Sequence, residues 1–375
     1  MKAINALVRK TSLFTVMISA SVLATNDVHA QTYTAIELAS GSLNSTAYSI
    51  TNGVAAGNAA SPVYLRSHAT LWSNSVQIDL HPTFLEDTVN GTYGASSVLG
   101  STDSIQVGWG YGPTLQNRYV PIVWSGAADT AHILTLPFTN VGGQALATDG
   151  SQIVGYGTGL NNDGTTTGSN RAVVWDVTTE QAIDLGDGGN GAQALGVGGG
   201  QQVGYIIKDL QNAALWNGST NSLVVLHPKD AAASVAYGTD GVQQVGYSGY
   251  NVRVRAEATK GNKFKRYDYA MVWTGSAASA LNIHPYSYTN SYAKATNGSW
   301  IVGYATDALS IGTPGFNHAI VWDATYQATD LNAFLSAPFV GSQALSVDGQ
   351  GNVAGIAFTA NGQRHAVVWM LNPAQ

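Results

Sequence analysis

Ala145-Leu146-Ala147-Thr148-Asp149-Gly150 opens a stretch that runs through Val154-Gly155-Tyr156 to Ala172-Val173-Val174-Trp175 and ends in Ala182-Ile183-Asp184-Leu185. Each piece is a short run of β-forming or small residues. An Asp-Gly turn separates the first two, as a tight hairpin requires. The stretch therefore reads as four antiparallel strands, A to D, with strand C ending in Trp. An apolar triplet closed by Trp recurs at Trp72, Trp124, Trp216, Trp273, Trp322 and Trp369. Successive tryptophans, counted with Trp175, are 52, 51, 41, 57, 49 and 47 residues apart. Four strands in so few residues, repeated seven times, predict an all-β, seven-bladed β-propeller.

Strands A and B carry their own marks. A small residue stands ten positions before a glycine in Ala145–Gly155, Ala194–Gly204, Ala236–Gly246 and Ala293–Gly303, and Val98–Gly108 keeps the interval. Ala47–Gly57 and Ala344–Ala354 read as looser copies. The glycine is expected to permit close approach between blades. The repeated Trp is expected to pack between neighbouring blades, and the Tyr that follows most of the glycines to sit in the core with its hydroxyl bonded at a rim. After Trp369 too few residues remain for a seventh strand D. Ala35-Ile36-Glu37-Leu38 matches Ala182-Ile183-Asp184-Leu185 and is expected to supply it, closing the ring and removing a bare edge.

Composition agrees with this architecture. Of 375 residues, 45% are hydrophobic, only 10% are charged, and 43 are Gly. So few charges exclude a coiled coil or a charged helical enzyme, and the Gly content calls for many tight turns. Residues 1–30 read as a signal peptide: Lys2, Arg9 and Lys10, an apolar run from Thr11 to Ala24, and a cleavage motif at Val28-His29-Ala30. Residues 31–375 read as one propeller domain, expected to be monomeric, secreted or periplasmic, and without a transmembrane segment. Beyond residue 30 there are 13 basic and 21 acidic residues, a net charge of −8, which argues against nucleic acid as a partner. There is no Cys, so disulfides, thiolate metal sites and Cys nucleophiles are excluded.

With the repeat in place, the chain resembles the HAF-type bacterial extracellular repeat family. His318-Ala319-Ile320-Val321-Trp322, His365-Ala366-Val367-Val368-Trp369 and His68-Ala69-Thr70-Leu71-Trp72 match that family's His-Ala-Phe-x-Trp unit, with Phe absent from every copy. The resemblance implies export and a propeller-like repeat fold. It implies no catalytic residues.

No catalytic signature stands out. His68, His318 and His365 share one position before strand C, and His81, His227 and His284 share another after strand D. Residues held in repeat register are expected to make structural hydrogen bonds, and His132, standing alone, is expected to do the same. Neither a His-Glu-x-x-His helix nor a Gly-x-Ser-x-Gly elbow occurs. No cofactor is expected. Two segments resemble partial Ca²⁺ loops, Asp184-x-x-Asp187-Gly and Asn161-Asn162-Asp163-Gly164, and neither has full ligand spacing. Strands A should line the channel and carry no carboxylates, which argues against a metal held there.

The A–B and C–D turns are short, and the B–C and D–A connections are longer. Long loops on a rigid scaffold are where binding concentrates. The B–C/D–A face is therefore expected to be functional, with Trp109, Tyr111, Tyr119, Tyr250, Lys263, Arg266, Tyr286 and Tyr288 as ligand-binding residues. Phe264 and Tyr267 belong to the same face. The fifth blade's insertion holds Arg253, Arg255, Lys260, Lys263, Lys265 and Arg266, a basic field in an acidic chain. The function expected is binding of a polysaccharide or another extracellular polymer or envelope component. The alternative is a propeller hydrolase or lyase acting on polysaccharide, with Glu86, Asp87, Asp163, Asp187 and Asp230 as the carboxylates to inspect.

Overall fold

The computed structural model describes residues 31–38, 44–63, 65–73, 76–160, 166–186, 188–255, 262–306 and 317–373. The expected signal peptide and Asn161-Asn162-Asp163-Gly164, like Asp187, lie outside the described residues.

β1 (Tyr33–Glu37) precedes the first full hairpin. Blade 1 holds β2 (Ser45–Thr51), β3 (Val54–Ala60), β4 (Ser67–Ser73) and β5 (Val76–Asp79). Blade 2 holds β6 (Ala95–Ser101), β7 (Gln106–Gly112), β8 (Arg118–Trp124) and β9 (His132–Ile133). Blade 3 holds β10 (Asn140–Thr148), β11 (Gln152–Leu160), β12 (Thr166–Asp176) and β13 (Ala182–Gly186). Blade 4 holds β14 (Ala192–Gly198), β15 (Gln201–Ile207), β16 (Gln211–Trp216) and β17 (Val224–Val225). Blade 5 holds β18 (Ala233–Thr239), β19 (Gln244–Arg255), β20 (Asn262–Trp273) and β21 (Leu281–Asn282). Blade 6 holds β22 (Asn290–Thr296), β23 (Ile301–Thr306), β24 (Asn317–Trp322) and β25 (Ala328–Asp330). Blade 7 holds β26 (Phe339–Val347), β27 (Val353–Thr359), β28 (Arg364–Leu371) and, outermost, β1. The expected seven blades and the closure by the N-terminal strand are both present. Among the described residues no helix is long and apolar enough to cross a membrane.

The tryptophans pack as expected. All seven are almost fully buried, in clusters that join adjacent blades; Trp124 of blade 2, for example, packs on Ala56, Ala69, Leu71 and Leu80 of blade 1. Burying each indole stabilises the ring by about 4–6 kcal/mol against a fully extended chain, an upper bound. Four indole N–H groups also donate to a carbonyl of the preceding blade: Trp124 to Leu80 (2.8 Å), Trp175 to Thr135 (2.7 Å), Trp322 to Ile283 (2.9 Å) and Trp369 to Leu331 (3.0 Å).

A serine near the start of strand A makes a second joint. Its Oγ accepts from a strand-C amide of the preceding blade, in Ala69–Ser96, Ala213–Ser234, Ala270–Ser291, Ala319–Ser342 and, across the closure, Ala366–Ser45. These bonds satisfy buried amides that have no ladder partner on that side.

The repeated glycine serves its own blade, which corrects the expectation of blade-to-blade approach. Strand A carries a bulge in every blade, for instance between Ala145 and Ala147 opposite Gly155. The bulge swings the Gln144 carbonyl inward, and a Cβ at Gly155 would lie 2.0 Å from its oxygen. Gly57, Gly108, Gly204, Gly246 and Gly303 face the same obstruction. The seventh copy is Gly355, opposite Ala344, rather than Ala354. A longer A–B turn, Asp348 to Asn352, moves it by one position.

Candidate functional site

The bulges set the chemistry of the central axis. Register shifts isolate one extra residue per blade: Tyr48, Leu99, Leu146, Leu195, Tyr237, Lys294 and Leu345. All seven line a single axial cavity of 340 Å³. From this ring the cavity runs along the inner strands toward the A–B turns, past Thr51, Ser101, Thr148, Thr239 and Thr296 to Asp348 and Gly349. Strands A carry no carboxylate there, as read from the sequence; Asp348 enters from the turn. Its carboxylate is engaged by the amides of Gly53, Gln350 and Asn352 and by the Asn352 side chain.

Lys294 is the one cationic member of the ring. Its Nζ sits 3.2 Å from the centroid of the Tyr237 ring, a cation–π contact. Lys294 is half-buried in the wall of the cavity. Burial lowers its pKa to about 7. Burial also pushes Tyr237 above the usual phenol range, and Tyr304 up to about 12.

On the side facing the B–C loops, Tyr237 packs into a cluster of tyrosines from blades 5 and 6. Tyr237 stacks on Tyr247 at 6.0 Å, Tyr247 meets Tyr292 edge-on at 5.2 Å, and Tyr292 lies 4.9 Å from Tyr304. The Tyr292 hydroxyl donates to Asp268 (2.8 Å), whose other oxygen accepts from Arg266 Nε (2.7 Å). Arg266, expected to touch ligand, is thus committed to Asp268 and leans on Tyr247.

The remaining residues expected at the ligand fall into two groups, one at blade 2 and one at blade 5. In blade 2, Tyr119 packs against both Trp109 and Tyr111, with centroids 5.1 Å apart in each case. Trp109 lines a pocket of 290 Å³ that shares Tyr48 with the axial cavity, and Tyr111 lines another of 320 Å³. In blade 5 the long β19–β20 hairpin puts Tyr250, Tyr267 and Tyr269 on one face. Tyr250 and Tyr267 flank Tyr269 at 5.9 and 6.5 Å, tilted from it by 30° and 24°. Lys265 Nζ stands 5.2 Å from the Tyr267 ring. His284 packs on Tyr269 at 4.5 Å, and Tyr286, fully exposed, stands beside His284. Tyr288 instead donates to Asp330 and lies at hydrogen-bonding distance from His318, so it braces the frame. The Lys263 side chain is outside the described residues.

The histidines divide by register. His68, His318 and His365 pair with Asp79, Asp330 and Glu37 across strands C and D, where blade 3 uses Arg171 and Asp184. His81, His227 and His284 place Nδ1 2.7–2.8 Å from the inter-blade serines Ser96, Ser234 and Ser291. His132, on β9, pairs with Glu180 in the turn between β12 and β13, and both side chains are exposed. The two registers meet once: His68, His81 and Glu86 bring three metal-competent atoms within 4.8 Å of one another. The two imidazoles stack at 3.9 Å and 12°, so their lone pairs run parallel rather than converging on one ion. Both His81 nitrogens are also engaged, by Ser96 and by Glu86.

Of the carboxylates considered for hydrolysis, Glu86 is bound to His81 and to the Gly94 amide, and Asp87 holds Asn90. Asp230 stands in the D–A connection close enough to Tyr250 to raise that phenol's pKa, after burial, the larger cause.

These features define a seven-bladed propeller with an axial cavity and aromatic outer faces. No family model matches the chain, and no curated protein does. Solved propellers do. The β-propeller domain of the Trilobed protease from Pyrococcus furiosus, described as having an open velcro topology, superposes with a TM-score of 0.53 at 10% identity, over 88% of this chain and 94% of that one. The uncomplexed acylaminoacyl peptidase of Pyrococcus horikoshii gives a TM-score of 0.53 at 13% identity, over 89% of this chain and 52% of that one. This chain thus spans about half of that peptidase. At such identities the likeness is one of fold.

Proposed function

We propose that this protein is a binding module that grips an extended polymer, a polysaccharide foremost, on its B–C/D–A face. The observation that carries the reading is the blade-5 platform. Tyr250 and Tyr267 each lie within 30° of parallel to Tyr269 along one hairpin face, with Tyr286 exposed beside them. Flat rings with polar edges suit sugar faces, whose C–H groups stack on the π-surface while the hydroxyls stay wet. Lys265 next to Tyr267 adds a positive charge that favours acidic chains. Export, expected from the first thirty residues, belongs to the same proposal. The assay is affinity electrophoresis of residues 31–375 in gels loaded with neutral or acidic polysaccharides. Retardation by a polysaccharide that is lost in Tyr267→Ala/Tyr269→Ala supports the reading. Unretarded migration in every gel, or retardation that the double variant keeps, refutes it.

The peptidase propellers give the hydrolase alternative a fold and no more. Glu86 and Asp87, its adjacent carboxylates, are tied to different partners, which places the binding reading ahead.

A further inference from the structure

We propose that the axial cavity is a second, separate binding site, which takes a small carboxylate on the Lys294 ammonium group. The site lies toward the A–B turns, away from the aromatic platform, and does not depend on it.

Three observations support the assignment. First, Lys294 occupies a bulge position where the other blades place only Leu or Tyr. A leucine there would fill the ring at no electrostatic cost, whereas a cation must be desolvated. Second, among the described residues its ammonium group meets only the Tyr237 ring. The carboxylate nearest in the cavity lining, Asp348, is already engaged by four donors. The titratable groups lining the cavity are Tyr48, Tyr237, Lys294 and Asp348. Burial raises the pKa of Tyr237 and keeps its phenol protonated at neutral pH, so the ring that Lys294 meets carries no charge to compensate the ammonium. Third, the wall above Lys294 presents hydroxyls of Thr51, Ser101, Thr148, Thr239 and Thr296, and the ring around it presents leucines. The 340 Å³ space accommodates a single sugar acid or a short organic acid. A carboxylate would supply the missing counter-charge, and hydroxyl groups on its body would meet the threonine tier.

An anion on Lys294 favours the protonated amine, so binding is linked to proton uptake. Binding should be strongest below pH ~7 and weaken about tenfold per pH unit above it.

The test is calorimetric titration of residues 31–375 with glucuronate, acetate and glucose. Glucuronate is expected to bind, acetate more weakly, and glucose not measurably. Lys294→Met should weaken glucuronate at least tenfold, while Tyr267→Ala/Tyr269→Ala leaves it unchanged. Equal binding of glucose, no heat from either acid, or unaltered binding by Lys294→Met overturns the proposal. A second measurement does not depend on the variant folding. Amine-specific labelling of the unaltered protein at neutral pH, read by mass spectrometry, should modify Lys294, and glucuronate should protect it. Labelling that glucuronate does not reduce also overturns the proposal. Because acetate and glucuronate are titrated separately, the same experiment tells a bare carboxylate ligand from a sugar acid.

Discussion

The Nδ1 of His365, in the last strand, lies 2.8 Å from a carboxylate oxygen of Glu37, in the first. The pair repeats across the closure what His68–Asp79, Arg171–Asp184 and His318–Asp330 do within single blades. β1 therefore acts as the strand D of blade 7 in its side chains as well as its ladder. Tyr33 adds a buried ring against Phe334.

Deleting residues 31–38 should strip the outer edge of β28 and expose the core around Trp369. The loss of a five-residue ladder is expected to cost on the order of 3–5 kcal/mol. Urea unfolding would show a lower midpoint, and limited proteolysis would cut first within blade 7. Glu37→Ala alone removes a partly exposed pair and should cost less than about 1 kcal/mol. A truncated chain as stable as the full one would contradict closure by β1.

Gly155→Ala should destabilise by about 3 kcal/mol or more, because the new Cβ meets the Gln144 carbonyl and a backbone carbonyl cannot yield. Gly200→Ala provides the contrast. Nothing stands within 4 Å of its missing Cβ, but its φ of +81° is left-handed. There the cost should stay at about 1–2 kcal/mol. Chemical unfolding of the two variants side by side checks the ranking.

Trp124→Phe and Trp216→Phe remove the same atoms with different consequences. Trp124 donates to the Leu80 carbonyl, whereas the Trp216 indole N–H has no partner. The first substitution strands a buried acceptor; the second removes a buried orphan. Trp124→Phe should be the more destabilising by about 1–2 kcal/mol in thermal or urea unfolding.

Acid should weaken the fold before the carboxylates titrate. At His227 and His284 a backbone carbonyl faces Nε2, of Ala231 and Tyr288, and calls for an N–H there. The serine hydroxyl at Nδ1 already accepts a backbone amide and has its hydrogen free to donate. The arrangement suits neutral imidazole, and burial first of all holds His81, His227 and His284 below the ordinary value of 6.5. As pH falls through 6.5 the unfolded chain takes up these protons before the folded chain does, so stability declines. His132 has the opposite sign, its pKa raised by Glu180, and its exposure keeps that contribution small. The melting temperature should drop between about pH 7.5 and 5.5. His284→Gln should be less stable at the upper end and lose less on acidification.

Tyr269→Ala removes the central ring of the blade-5 platform and the surface on which His284 packs. If the platform holds polymer, affinity should fall about tenfold or more, within the range of one lost aromatic contact. Tyr288→Phe, which breaks only the brace to Asp330 and His318, should leave affinity unchanged.

Local periodicity was enough to show the blades, their number and their closure. Each rests on short-range rules: alternation, Asp-Gly turns, and a bulky indole recurring where one sheet must cover the next. Trp175 and Ala182-Ile183-Asp184-Leu185 announce their strands without any knowledge of distant residues. The aromatic loops were legible for the same reason, since loop length and residue type are local. The bulge was not, because a one-residue register slip depends on which amides and carbonyls the neighbouring strand brings opposite it; its trace is the glycine, whose letter alone does not tell a spacer between blades from clearance for a carbonyl within one. The inter-blade serines were likewise silent, for a serine in a strand is ordinary until its partner amide is placed opposite it. Lys294 shows the division most plainly. Its letter stood in view within Ala293-Lys294-Ala295-Thr296. Only the closed ring, by bringing seven bulge residues from seven distant hairpins around one axis, made it the lone cation on a wall of leucines and tyrosines.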